Sequence, residues 1–183
     1  PEKTPAAAFF SYLPQWLLAP RQIDKSAKLL EHGVLIIDNG SALSGLLQHG
    51  LRQAGVVMYV KDQAQLNTQA DYHQWLAGSE AGSEDQQPKV LLHLANVLEQ
   101  NPDMTQVSSR FENSYFAIST LLRVLIKRGQ PCHVHALSNS ITYAYDCGAE
   151  KAAITGPLSA VHGEAGFLYG ASIDIDWPLA SPR

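Results

Sequence analysis

Val34-Leu35-Ile36-Ile37-Asp38-Asn39-Gly40-Ser41-Ala42-Leu43-Ser44-Gly45, followed after Gly55 by Val56-Val57-Met58-Tyr59-Val60, is the stretch whose reading decides the fold. Both apolar runs are short and nearly continuous, which suits strands of a parallel sheet covered on both faces. Between them Leu43, Leu46, Leu47 and Leu51 recur at helical spacing over Ser41 to Ala54, and Gly55 stands where a helix stops. Strand, helix and strand of these lengths make a βαβ unit.

Outward from this unit the alternation continues. Val90 to Leu94 reads as a third strand, and residues 107 to 128 as a helix with Phe111, Tyr115, Ile118, Leu122 and Leu125 on one face, closed by Gly129. Cys132 to Leu137 gives a fourth strand, Leu158 to Ala165 a helix, and Leu168 to Asp174 a last strand. Strands alternating with helices predict an α/β fold, a mostly parallel sheet flanked by helices with right-handed crossovers. Ahead of it, Phe9-Phe10-Ser11-Tyr12-Leu13-Pro14-Gln15-Trp16-Leu17-Leu18 is extended in character, and Pro14 confines it to an N-terminal edge strand.

The 183 residues suit one domain large enough to bury its own core. Thirteen Lys and Arg against seventeen Asp and Glu give a net charge of -4, so no basic footprint for nucleic acid or anionic lipid exists. No run approaches the roughly 18 apolar residues of a membrane span, and Pro1 to Phe10 lacks the order of a secretory signal. The expectation is a cytoplasmic chain without a membrane partner. Two cysteines are too few for a disulfide scaffold, and Cys132 reads as a buried core thiol. A first residue of Pro suggests processing or a piece of a longer polypeptide. The net charge is local: residues 61 to 88 set Lys61 against Asp62, Asp71, Glu80, Glu84 and Asp85. With six glutamines and the run Ala77 to Ser83, this stretch reads as an acidic surface excursion holding a short helix at Asp71 to Leu76.

Three constellations invite chemistry. Gly40-Ser41-Ala42-Leu43-Ser44-Gly45 lines up with the dinucleotide fingerprint G-x-G-x-x-G, with Ala42 in place of the glycine that lets the backbone approach a pyrophosphate. Asp62 follows the second strand where a ribose-binding carboxylate belongs. A small NAD(P)-dependent oxidoreductase would bind its nucleotide at Gly40, Gly45 and Asp62; otherwise the two glycines serve a tight turn and close helix packing. A short-chain reductase needs a Ser at the end of the fourth strand, and Ser138 is in place. It also needs a Tyr and Lys four residues apart, but Tyr143 and Tyr145 are followed at that spacing by Cys147 and Ala149, neither able to assist a phenol. His133 and His135 share one strand face and His93 stands on another strand, a possible metal nest. The acids that would complete it, Asp174 and Asp176, lie far along the chain without ligand spacing, so no metal is expected.

Four features together resemble the N-terminal structural half of the ketoreductase region of modular polyketide and polyunsaturated fatty acid synthases. Tyr12-Leu13-Pro14-Gln15-Trp16 is similar to that region's opening Tyr-x-x-x-Trp strand. Leu35 to Gly40, running into Leu46-Leu47-Gln48-His49-Gly50-Leu51-Arg52-Gln53-Ala54-Gly55, is similar to its strand, glycine turn and L-R-x-A-G helix. Val90-Leu91-Leu92-His93-Leu94 resembles its V-V-H-L strand. Gly156-Pro157-Leu158-Ser159-Ala160-Val161 through Glu164 to Ile173-Asp174-Ile175-Asp176 resembles its closing helix and I-D-L-D strand.

The resemblance spans nearly the whole chain. It implies a degenerate Rossmann-like fold without a cofactor of its own, which braces a catalytic half carrying NADPH and the residues of β-ketoacyl reduction. Some synthases keep such a half as a truncated pseudo-ketoreductase beside a methyltransferase. The chain stops at Arg183, where the catalytic half would begin, and none of that half's residues maps onto it. The expected partner is therefore a catalytic ketoreductase subdomain or another domain of the same synthase, and no catalytic residue is expected here. Charged residues are only 16% of the chain against 45% apolar, which suggests surface meant for a neighbour. Phe9, Phe10, Tyr12 and Trp16, with Trp177-Pro178-Leu179 at the other end, are the expected anchors.

Overall fold

The computed structural model describes residues 30–79, 87–97, 107–139 and 153–175. The edge strand expected at Phe9 to Leu18, with the anchors Phe9, Phe10, Tyr12 and Trp16, lies outside them. So do Tyr143, Tyr145, Cys147, Asp176 and Trp177 to Leu179.

Five parallel strands form one sheet in the order β2-β1-β3-β4-β5: β1 Val34–Asp38, β2 Met58–Asp62, β3 Val90–Asn96, β4 Cys132–Asn139 and β5 Leu168–Ile175. Helix α1 spans Ala42–Gln53, α2 Gln69–Gly78, α3 Val107–Phe111, α4 Ala117–Arg128 and α5 Thr155–Glu164. This is a Rossmann-like α/β fold, as the alternating pattern predicts. The chain leaves β1 for β2 on one side and crosses back to β3 on the other, which makes the C-terminal ends of β1 and β3 the switch point where such sheets place ligands.

Strand β1 holds the centre because Val34, Leu35, Ile36 and Ile37 are all buried, alternating between two cores. Leu35 and Ile37 join Leu91, Val134 and Ala136 under α2, α4 and α5, while Val34 and Ile36 join Val90 and Leu94 with Leu47 and Leu51 of α1. Gly170 lets α5 lie close against β5: a Cβ there would overlap the Leu158 carbonyl oxygen and stand 2.9 Å from its carbonyl carbon and Cα.

Several boundaries differ from the pattern. Strand β2 starts at Met58 rather than Val56, because Gly55 takes a left-handed conformation (φ 73°) and the Val56 amide bonds the Leu51 carbonyl, finishing the turn that ends α1. The long helix expected over 107 to 128 contains a π-helical turn, Glu112–Phe116, between α3 and α4. Phe116, the last residue of that turn, is exposed.

The larger correction concerns residues 61 to 88, expected as a surface excursion. Lys61 and Asp62 belong to β2, and α2 is a full helix with a Thr68–Asp71 capping box. Leu66, Tyr72 and Leu76 are buried in the main core. Only two well-buried side chains, four apart, anchor α2, too few to give its sequence a clear apolar stripe. Residues 80–86 lie outside the description. No helix among the described residues is long and apolar enough to cross a membrane.

Candidate functional site

The site to test is the β1–α1 turn at the switch point. A helix N-terminus presents unpaired backbone N–H groups and the positive end of the helix dipole, which together hold a phosphate. Here the chain's own side chains engage two of those donors, at Ser41 and Ser44, and the Gly40 amide just ahead of them. The Gly40 amide donates to Asp38 Oδ1 at 2.7 Å, the Ser41 amide to Asn39 Oδ1 at 3.2 Å, and the Ser44 amide to the Ser41 hydroxyl oxygen at 3.2 Å. Gln48 Nε2 donates both to Asp38 Oδ2 and to Ser44 Oγ at 3.0 Å, which fixes the carboxylate over the turn. Asn39 Nδ2 donates across the switch point to the Val97 carbonyl at 2.7 Å, tying the end of β1 to the end of β3.

The fingerprint glycines have separate fates. Gly40, at φ 73°, makes the turn. Gly45 has nothing within 4 Å of where a Cβ would be, so the close packing that the fingerprint's third glycine allows is absent, contrary to the packing role expected for it. Asp62 ends β2 opposite Asp38 in the register and accepts from the Ala64 amide at 2.9 Å, capping the short 3-10 turn Gln63–Gln65. It acts as a local cap, and β1 and β2 end in two neighbouring carboxylates.

The three histidines do not come together. His93 aligns with Ala136 of β4 and therefore shares its face, whereas His133 and His135 point to the opposite face. The rings of His133 and His135 stack at 6.3 Å with Tyr169 alongside, 5.3 and 6.2 Å away. Among the described residues no group of three or more His, Cys, Asp or Glu could hold a metal.

His93 itself is fully buried with neither ring nitrogen hydrogen-bonded, and burial pushes its pKa down to about 3, so it is neutral at pH 7. Ser138 sits at the end of β4 as expected, buried and with its hydroxyl unpartnered. Burial lowers the pKa of His135, helped by the His133 charge, and pushes the Cys132 thiol up to about 12, an inert core thiol. Two open grooves, of about 390 Å³ under the β2–α2 edge and about 410 Å³ between α4 and α5, are lined by no residue of the 38–45 turn.

The comparisons fit this geometry. A short-chain dehydrogenase/reductase from Vibrio parahaemolyticus matches with a TM-score of 0.59 at 18% identity, over 82% of this chain and 84% of that one. The fold is the Rossmann-like fold of that enzyme. A dehydrogenase from Burkholderia cenocepacia with bound NADP matches with a TM-score of 0.56 at 14% identity, over 84% of this chain and 72% of that one. A multidomain structure of a keto acid-selecting NRPS module, with adenylation, ketoreductase and pseudo Asub domains, matches with a TM-score of 0.63 at 16% identity. The match takes in 82% of this chain but 14% of that polypeptide, so there the same fold is one part of a much larger protein. No family model matches the sequence, and no curated protein does.

Sequence reasoning missed the role of Asn39 and Gln48, which close the turn. An Asp-Asn pair before Gly is a signal for side chains that bond their own backbone two residues on, and it stands in the sequence as Asp38-Asn39-Gly40.

Proposed function

We propose that this chain is a noncatalytic structural subdomain of a synthase ketoreductase or pseudo-ketoreductase, which braces a neighbouring NADPH-dependent β-ketoacyl reductase half and binds no cofactor itself. The observation that carries the proposal is the engaged turn. A pyrophosphate arriving at α1 would have to displace Asp38 from the Gly40 amide and Asn39 from the Ser41 amide, break the Asn39–Val97 tie, and sit beside two carboxylates. Ala42 adds a methyl where a nucleotide site keeps bare backbone. The likeness to a ketoreductase-containing module, in which the matched fold is a small part, supports a role inside a larger enzyme.

A second reading, a small NAD(P)-dependent oxidoreductase using Gly40, Gly45 and Asp62, is favoured by the likeness to an NADP-bound dehydrogenase. Calorimetric titration with NADPH and NADH separates the two. Negligible binding is expected; a Kd below about 10 μM, roughly -7 kcal/mol, overturns the architectural reading, and Ala42→Gly should then tighten binding. The bracing role is tested by producing the chain with the reductase half and assaying reduction of a β-ketoacyl thioester. A reductase half equally active and stable without residues 1–183 would refute it.

A further inference from the structure

Across the face of the sheet that packs under α4 and α5, one row runs Ile37, His93, Ala136, Ser172, and Ser138 follows Ala136 on the same face of β4. His93 and Ser172 thus flank Ala136 on its two neighbouring strands, and Ser138 stands one pleat further along. The surroundings are the main core, where Leu35, Ile37, Leu91, Val134 and Ala136 share this face. Four polar atoms interrupt it: Nδ1 and Nε2 of His93, Ser138 Oγ and Ser172 Oγ are each buried without a hydrogen-bond partner. His93 and Ser138 are both 0% exposed.

Buried polar side chains are hydrogen-bonded almost without exception, so three such groups around one small residue point to a shared partner. The backbone makes room for one. Between His93, which faces Ala136, and Asn96, which faces Ser138, β3 carries one residue more than β4, a bulge that loosens the ladder beside these side chains. Ala136 adds space, since it offers a single methyl where Val134, two residues earlier on the same face, offers a branched side chain. Adjacent strands lie about 4.8 Å apart, which sets the His93 and Ser172 Cα atoms about 10 Å from one another. Two hydrogen bonds of about 2.8 Å through a water oxygen join polar atoms up to about 5.6 Å apart, a span that the imidazole and the two hydroxyls leave to be filled.

We infer that the space around Ala136 is an internal hydration site, in which bound water bridges His93 to Ser138 and Ser172. The chemistry of the three groups selects a small neutral ligand. Neutral imidazole offers one donor and one acceptor, and each hydroxyl offers both, which is the complement of water. An ion has no counter-charge in the cluster, because the acid paired with Ser138 in the register, Asp174, is exposed. A larger molecule has no way in from the grooves of the surface, none of which is lined by His93, Ala136, Ser138 or Ser172. The site is independent of the bracing role and of any partner.

Nuclear magnetic resonance of the 183-residue chain tests it, with magnetisation transferred from water to the carbon-bound ring protons of His93. The expected result is a cross-peak with the sign of a long-lived bound water. It should persist in Ser138→Ala and in Ser172→Ala, each of which leaves the imidazole and one hydroxyl as anchors, and be lost in Ala136→Val, which fills the space. The serine variants carry the test if Ala136→Val does not fold.

No cross-peak in the parent chain overturns the proposal, since the cluster is then dry. Loss of the cross-peak in a single serine variant assigns it to that hydroxyl's own exchange with solvent and overturns it too. So does a cross-peak unchanged in folded Ala136→Val, which places the water elsewhere. Contacts that set a side chain of residues 98–106 or 140–152 against the His93 nitrogens would likewise replace water as the partner and refute the assignment.

Discussion

Gly170→Ala is the sharpest test of how this sheet is packed. The added Cβ would overlap the Leu158 carbonyl oxygen and lie 2.9 Å from two further backbone atoms of Leu158. Ordinary contacts at such atoms begin near about 3.4 Å, so α5 and β5 must part by about half an ångström or more. Neither can move freely: Leu158 and Val161 of α5 are 1% and 2% exposed, and β5 is paired along its full length with β4. Overpacking of a fixed core costs about 1–3 kcal/mol. For a domain of this size each kcal/mol moves Tm by about 2–4 °C, which predicts a fall of about 2–12 °C. The assay is thermal and urea denaturation followed by circular dichroism, with midpoint and slope fitted together. A Gly170→Ala variant as stable as the parent would refute the close α5–β5 approach and the placement of α5 on this face.

Gly45→Ala should act in the opposite direction, raising stability by about 0.5–1 kcal/mol in the same denaturation assay, because the site is open and helical; destabilisation would mean that this glycine still serves close packing. Asn39→Ala should cost about 1–3 kcal/mol of unfolding free energy by leaving the Val97 carbonyl, on a residue 1% exposed, without its donor. An Asn39→Ala variant with an unchanged urea midpoint would show that this tie carries no stability. His93 supplies an acid-sensitive element: with its folded pKa depressed to about 3, its contribution is complete above the unfolded value of roughly 6.5 and is lost as pH falls towards 3, at about 1.4 kcal/mol per pH unit. His93→Leu should therefore lose less stability than the parent between pH 7 and about pH 4.5 in urea titrations, and equal losses would show that this imidazole is not buried uncharged.

The fold was legible wherever burial was two-sided. Val34 to Asp38 reads as a strand and is one, because a central parallel strand is apolar on both faces and needs no alternation to be recognised. The α1 stop at Gly55 was equally plain, since glycine alone takes the left-handed conformation without steric cost and this one directly follows a leucine-patterned helix. Legibility failed at α2, where the burying residues are Tyr72 and Leu76 among glutamines and an aspartate, so composition pointed to solvent while two side chains held the helix to the core. It failed again at Glu112–Phe116, because a π turn shifts the helical face without altering the apolar content that periodicity measures. The histidines show a different limit: spacing put His133 and His135 on one face, but only the inter-strand register reveals that His93 lies on the other.

The β1–α1 turn joins these observations into one physical statement. A nucleotide-binding turn leaves its amides unpaired so that a ligand can complete them, which leaves the helix start under-satisfied until the ligand arrives. In this chain Asp38, Asn39 and Ser41 engage three amides of the turn, those of Gly40, Ser41 and Ser44, and Gln48 and Val97 hold two of the three side chains in place. The same side chains that oppose a phosphate therefore stabilise the turn. Self-satisfaction of this turn is the observation on which the proposed architectural role rests.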